Sequence, residues 1–575
     1  MRRLIICVTL VIGAWGLAAA CNDSGPEEAE ELFEDMDPDD PELYGPQGKA
    51  DNLNSQWPAY SPMPGACQEY SSFLTLFAPD DPTVTLELQQ IDRVVDERAQ
   101  DGNEYAEGEN PYRIRYAVYN LSSQIIQDRL FQAEGAGVDV QVLIEADQLH
   151  KEWNHVADNF SAAGLEVVYD HEDLDETAKK TVDLVGIDKY GLMHLKTRLF
   201  TTPSETVLLT GSLNPNNSSP ANEESLHLVR DPVVIADYEE AYLAQLNQTP
   251  LPNSWTNGVP INTMFTPAGN DDRASGRLFD WLESENEQIL LMVFTLRNLW
   301  TPTYSEPLVD LLAKKKQQGV NVVVITDRKQ ADGVDSQGNS TYWDDKTDDK
   351  LREAGIPVYE AINEAEGLFG APNPYCAMHH KSVVLGKTNI RVITDASNWT
   401  KSALGDSYKV AKNVESMLFI DSAMLDANRT GKRYLGQWLK VLMRYGWQSQ
   451  QQDGEQAPEV VRDQLLNSED WPTVAVTFAG IVETQFGDEV YIIGDDPALG
   501  SWGVEHVGIP LTTDAALYPR WVSPPVELPL GSTVDWKLII RTRDGYVLWE
   551  DGPNRPLEVF LPICGDLQAS GTWRE

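Results

Sequence analysis

Apolar positions along the chain fall into two textures. Over residues 57–447, short and nearly continuous apolar runs alternate with longer stretches whose apolar positions recur every three or four residues. The first kind predicts strands buried on both faces, the second amphipathic helices. The alternation runs through twice. Residues 113–119, 137–144 and 163–169 read as strand segments in the first round, and 288–294, 319–326 and 354–359 in the second. In each round the next apolar stretch contains His-x-Lys, and the one after it ends in Asn. This order predicts an α/β fold with two pseudo-symmetric, mainly parallel sheet halves, residues 57–250 and 251–447, sandwiched by helices. Residues 448–471 are polar and rich in Gln and Glu, and read as a linker. From 472 to 575 short alternating strands are broken by turns such as Asp551-Gly552-Pro553-Asn554, which predicts an all-β sandwich.

The N-terminus changes the picture of where the chain acts. Arg2 and Arg3 precede an apolar run that closes on Ala18-Ala19-Ala20-Cys21, so residues 1–20 read as a signal peptide. The small residues directly before Cys21 resemble the lipobox of bacterial lipoproteins. That resemblance implies a lipidated Cys21 and a protein anchored in the cell envelope or on the cell surface. Plain secretion is the alternative. Residues 21–56 carry dense Glu and Asp runs and Pro, and predict a disordered spacer. The formal charge of −46 argues against a nucleic-acid partner. Cys67, Cys376 and Cys564 remain beyond the N-terminal segment. One disulfide is allowed among them, with no choice of partners from sequence; Cys376, three residues before His379, reads as a buried structural thiol.

The repeated pattern carries the chemistry. Its copies are Met193-His194-Leu195-Lys196 and Met378-His379-His380-Lys381, followed by strands that end in Asn214 and Asn398. A single His in an apolar strand is usually a packed core group. Two, each with a Lys and an Asn at matched spacing, make a site for a phosphate. Cleaving a phosphodiester without a metal needs a nucleophile, an acid for the leaving oxygen, and donors for the anionic oxygens. Two imidazoles divide the first two tasks. Lys196, Lys381, Asn214 and Asn398 serve the third. Glu224 and Glu415, each ending an Asn-x-Glu, are placed to orient the imidazoles. No cofactor is called for, and the cationic surroundings disfavour a metal. His380 points to the other strand face and reads as structural.

These residues resemble the phospholipase D superfamily, whose signature is His-x-Lys, an Asp five residues after the Lys, and Gly-Ser-x-Asn. The first copy has Gly211-Ser212-Leu213-Asn214, the second Asp395-Ala396-Ser397-Asn398. Thr201 and Gly386 stand where the signature has Asp. The resemblance implies a phosphohistidine on His194, with His379 as general acid and then base; the residues alone permit the reverse. It implies a phospholipid or another phosphodiester as substrate. The C-terminal segment resembles the starch-binding module of carbohydrate-binding family 20. That implies an α-glucan site built from Trp502, Lys537, Trp549, Glu550 and Asn554, and a second site near Phe486, with Trp521 and Trp536 in the core. The expectation is an exported phosphodiesterase held at starch- or glycogen-like material. The rivals are a nuclease-type phosphodiesterase and an inactive glucan-binding protein.

Overall fold

The computed structural model describes residues 58–67, 72–106, 108–188, 191–251, 253–268, 272–300, 306–333, 345–361, 377–405, 413–503 and 508–575. The signal, Cys21, the acidic spacer and Cys376 lie outside the described residues.

The first half forms an eight-stranded sheet from β1 (Phe73–Ala78), β2 (Arg113–Val118), β3 (Asp139–Glu145), β4 (Val167–Val168), β5 (Leu184–Ile187), β6 (Lys196–Thr201), β7 (Thr206–Gly211) and β8 (Glu224–Val229). Its order is β1-β8-β7-β6-β2-β3-β5-β4. The second half has β9 (Ile261–Thr266), β10 (Gln288–Val293), β11 (Asn321–Asp327), β12 (Val358–Ala361), β13 (Lys381–Leu385), β14 (Arg391–Asp395) and β15 (Glu415–Asp421), in the order β12-β11-β10-β13-β14-β15-β9. Read from the opposite edge, the second order repeats the first, with β12 in place of the β5–β4 pair. The α/β fold with two matched sheets is therefore present. Each sheet, however, is mixed. β2, β3, β5 and β4 run parallel through helical crossovers, while β6, β7, β8 and β1 are antiparallel. The cause is local: the strand after each His-x-Lys returns by a short connection, which only antiparallel neighbours allow.

Alternate residues divide the core. Leu290 and Met292 of β10 join Leu208 of β7 and Val229 of β8 in one layer between the sheets, completed by the helices Pro232–Asn247 and Arg429–Gln452. The other face of the first sheet packs under Thr83–Gln100 and Gln124–Gly135. The other face of the second packs under Ala274–Ser284 and Leu308–Gln317. Both faces of every central strand are thus dry, which is why the sequence shows continuous rather than alternating apolar runs.

The stretch read as a linker is helical. Arg429–Gln452 continues through its first residues, and a further helix, Pro458–Leu466, buries Val461 and Leu465 on one face. Polar composition hid that i, i+4 pair. The C-terminal module forms two sheets from β16 (Thr473–Ile481), β17 (Glu489–Gly494), β18 (Ile509–Leu511), β19 (Arg520–Val522), β20 (Val526–Pro529), β21 (Thr533–Arg541), β22 (Val547–Trp549), β23 (Arg555–Glu558) and β24 (Leu567–Thr572). A disulfide joins Cys67 to Cys564, residues 497 positions apart, tying the start of the first half to the end of this module.

Candidate active site

Each Lys opens a strand, and each His belongs to the leader just before it: Lys196 begins β6 and Lys381 begins β13. The expectation of His and Lys within one strand shifts accordingly. The leader pairs across to the other half. Met193 bridges Val414, and Met378 bridges Glu223, both in parallel. The His194 N–H donates to the Val414 carbonyl at 2.9 Å, and the Val414 N–H to the Leu192 carbonyl at 2.8 Å. The other copy repeats this, with His379 N–H to the Glu223 carbonyl at 3.0 Å and Glu223 N–H to the Ala377 carbonyl at 2.9 Å. The Asn of each Asn-x-Glu completes the stitch. Asn413 Oδ1 accepts from the Leu192 N–H at 3.2 Å, and Asn222 Oδ1 from the Ala377 N–H at 2.8 Å.

The side chains cross as well. His194 Nδ1 lies 2.7 Å from Glu415 Oε2, and His379 Nδ1 lies 2.7 Å from Glu224 Oε2. All four groups are buried. A carboxylate at Nδ1 holds the proton there and aims the Nε2 lone pair outward, the tautomer a nucleophile or base needs. Asn222 Nδ2 also donates to Glu224 Oε1 at 3.2 Å, so one amide holds both the leader and the carboxylate.

The lysines lie beside their histidines. Lys196 Nζ donates to the His194 carbonyl at 3.0 Å. Lys381 Nζ donates to the His379 carbonyl at 3.2 Å and lies 2.6 Å from His379 Nε2. Asn214 and Asn398 follow β7 and β14; each is buried, and each side-chain oxygen meets no hydrogen-bond donor among the described residues. The structure thus brings Lys and His together in each half, and each His to the opposite Glu. His380 faces the inter-sheet layer, edge-on to Phe77 at 5.7 Å, where burial holds its imidazole neutral, well below the ordinary value.

Two pairs escaped the sequence reading. Tyr119 and Phe294, each one residue past β2 or β10, stand edge-on to His194 and His379 at 5.3 and 4.6 Å. Lys196 and Lys381 lie 5.6 and 5.0 Å from the same ring centres. The signal was available, since both matched strand segments end on an aromatic. The second pair is Glu145 and Asp327, the last residues of β3 and β11. Glu145 accepts the N–H of Met193, and Asp327 that of Met378, the residues before the two histidines. Burial pushes the Glu145 carboxyl up to about 8 and Asp327 up to about 6, against the downward pull of those donors.

Gly386 lies at φ +77°, and a Cβ there would come 2.9 Å from the Asn389 carbonyl oxygen, so the turn itself disfavours the signature Asp. Thr201 ends β6, where its hydroxyl accepts from Thr206 at 3.2 Å. Among the described residues Asp332, Asp348 and Glu360 cluster closely enough to suggest a cation. Arg328 and Arg352 already pair with Glu360, and Arg352 with Asp348.

In the C-terminal module Trp502 and Trp549 stand with ring centres 6.3 Å apart and planes tilted by 40°, Trp549 exposed. Lys537 Nζ donates to the carbonyls of Glu550 and Gly552 at 3.2 and 2.7 Å, and Asn554 is exposed. Glu550 requires correction as a ligand contact. Its side chain is buried, and Arg555, Arg574 and the Leu538 N–H take both oxygens and hold the carboxyl below its ordinary value despite burial. Trp536 is core, Trp521 half-buried against it, and Phe486 fully exposed.

Two sheets whose central-strand leaders interlock around paired His-Lys-Asn sets make a duplicated α/β architecture. A family model described as cardiolipin synthase, PLD-like domain, matches residues 109–246 and 278–435, more than half of the chain, and a starch-binding domain model matches 473–573. The chain belongs to the phospholipase D-like family and carries a C-terminal starch-binding domain. Curated relatives include an AA13 family lytic polysaccharide monooxygenase A of Aspergillus terreus, 34% identical over 103 residues, or 18% of this chain and 26% of that protein. A glucoamylase of Arthroderma benhamiae is 38% identical over 103 residues, 17% of this chain and 16% of that one. The chain spans about a quarter or less of the length of these relatives. Among solved structures, a phospholipase D family member, Nuc from Salmonella typhimurium, aligns at 18% identity and a TM-score of 0.22, covering 32% of this chain and 92% of that one.

Proposed function

We propose that the chain is a metal-independent phosphodiesterase of the phospholipase D type, brought to α-glucan by its C-terminal module. The crossed His–Glu pairs carry this reading. Each imidazole is oriented by a carboxylate, and each has a lysine from its own copy beside it. His194 Nε2 attacks phosphorus, forming a P–N bond as the P–O bond to the leaving group breaks. His379, having taken a proton from solvent at Nε2, delivers it to the departing oxygen. It then takes one from water, whose hydroxide displaces His194 from phosphorus. Glu415 stabilises the imidazolium character that builds on His194, and Glu224 does so on His379. Lys196, Lys381 and the two Asn hold the non-bridging oxygens. Lys381 turns from His379 Nε2 to the phosphate as that nitrogen gains its proton. The resemblance assigns His194 as nucleophile; the Nδ1 geometry is the same on both sides.

Trp502 and Trp549 offer apolar faces on which sugar rings stack, and the exposed Asn554 can bond sugar hydroxyls. Export with a lipid anchor at Cys21 is the matching location, and the Cys67–Cys564 disulfide fits an oxidising compartment.

Purified protein should turn over phosphatidylcholine or bis(4-nitrophenyl) phosphate and leave DNA intact. Preferential cleavage of DNA would move the assignment to a nuclease, and turnover of none would leave a glucan-binding protein. His194→Ala should abolish both turnover and the acid-labile phosphoenzyme trapped in a quench; retained activity sinks the mechanism. Trp549→Ala should release the protein from amylose, and wild-type protein that never binds amylose removes the glucan reading.

A further inference from the structure

The two half-sites share their His, Lys, Asn and crossed Glu, but at one position only the second copy carries an acid. Where the first copy has Gly211, the second has Asp395, at the end of β14. Gly211 lies at φ +148°, and a Cβ there would meet the Ser225 carbonyl oxygen at 2.2 Å, so only glycine fits. Asp395 takes φ +116°, a region that L-residues avoid. Its carboxyl is fully buried in the layer between the sheets. A strained backbone and a buried acid at one residue are two separate costs, and neither serves packing.

The carboxyl reaches across to the first half. Thr210 Oγ1 donates to Oδ1 at 2.8 Å, and the Tyr238 hydroxyl donates to Oδ2. Thr210 lies on β7, the strand paired with β6 where Lys196 stands at the start, and Lys196 acts electrostatically on the carboxyl. Tyr434, on the helix across the layer, is a further titratable neighbour. Its hydroxyl, the counterpart of Tyr238, instead meets Thr394 Oγ1 at 2.8 Å and His227 Nε2 at 3.1 Å. The carboxyl thus reaches into the Lys196 half.

We propose that Asp395 is a positioning residue that sets the oxyanion affinity of the Lys196 half-site through its proton, an inference that rests on the phosphate-site reading above. With the carboxylate charged, part of the Lys196 field is spent on Asp395 and a phosphoryl group is held less tightly. With the carboxyl neutral, that field falls on the ligand. Burial outweighs its hydrogen bonds and Lys196 and lifts the carboxyl to about 6, within the range a cell envelope meets.

The probe is inorganic sulfate, whose own charge stays constant across the range, titrated calorimetrically into full-length protein. At about pH 7.5, Asp395→Asn should bind sulfate on the order of tenfold more tightly than wild type, and at about pH 5 the two should bind alike. Asp395→Gly, which copies Gly211 and relieves the backbone, should behave as Asn does. A purely structural role would change the melting temperature without opening a pH-dependent gap. Equal affinities for wild type and either folded variant at about pH 7.5 overturn the proposal while leaving the phosphate site standing. Absence of sulfate binding by all three overturns both.

Discussion

At the scale of single residues, the site depends on carboxyls whose protonation is set by burial. Glu145 holds the N–H of Met193, next to His194, and its carboxyl is lifted to about 8. The native state therefore keeps a proton that the unfolded chain, with a carboxyl near 4.5, has lost. The stabilisation from that proton is complete below the unfolded value and gone once pH passes about 8. Melting temperature followed from about pH 5 to about pH 9 should decline more steeply in wild type than in Glu145→Gln, which cannot lose the proton. Parallel curves would show that Glu145 does not titrate in this window. The sequence displayed His194, Lys196, Asn214 and their counterparts because identical triplets at matched spacing are a local signal. Glu145 and Asp327 carried no such mark. A carboxylate at a strand end looks like any turn residue until the partner N–H, from a distant leader, is known.

At the scale of elements, the two leaders and the two Asn-x-Glu segments form one interlocked unit. Asn222 holds the Ala377 N–H and steadies Glu224, so Asn222→Ala leaves a buried donor unmet and loosens a carboxylate. The loss should be about 1–3 kcal/mol in a denaturant titration, together with a fall in kcat larger than any change in KM. A stability loss without a kinetic effect would confine Asn222 to the stitch. Strand and helix order was readable because buried strands write continuous apolar runs. The crossing was not, because nothing in Asn413-Val414-Glu415 says that its imidazole lies in the other copy. The mixed sheet was misjudged for a related reason: alternation reports crossovers, and the hairpin returns after His-x-Lys leave no amphipathic helix to read. The helix Pro458–Leu466 was missed because Val461 and Leu465 are too few to stand out among Gln and Glu.

At the scale of the whole molecule, the starch-binding domain is fastened by more than a tether. Arg429 and Arg433, on the long helix of the second half, donate to the carbonyls of Pro562 and Leu561, and the Cys67–Cys564 bond closes the arrangement from the other end of the chain. Reduction, or Cys67→Ser with Cys564→Ser, should lower stability by about 2–5 kcal/mol and make the module more open to proteolysis, read by limited digestion with and without reductant. Unchanged cleavage would mean the helix contacts alone fix the module. The sequence showed both domains and their order; it left the cysteine pairing open because pairing depends on which chain ends meet.

The exchange of carboxylates between copies also bears on robustness. A duplicated gene segment ordinarily provides a spare, so that damage to one copy is masked by the other. Here His194 draws on Glu415 and His379 on Glu224. Losing either glutamate disables a histidine in the copy that was not hit. The repeat therefore provides no insurance: it doubles the number of places where one substitution can silence the whole, and it binds the two copies to drift together or not at all.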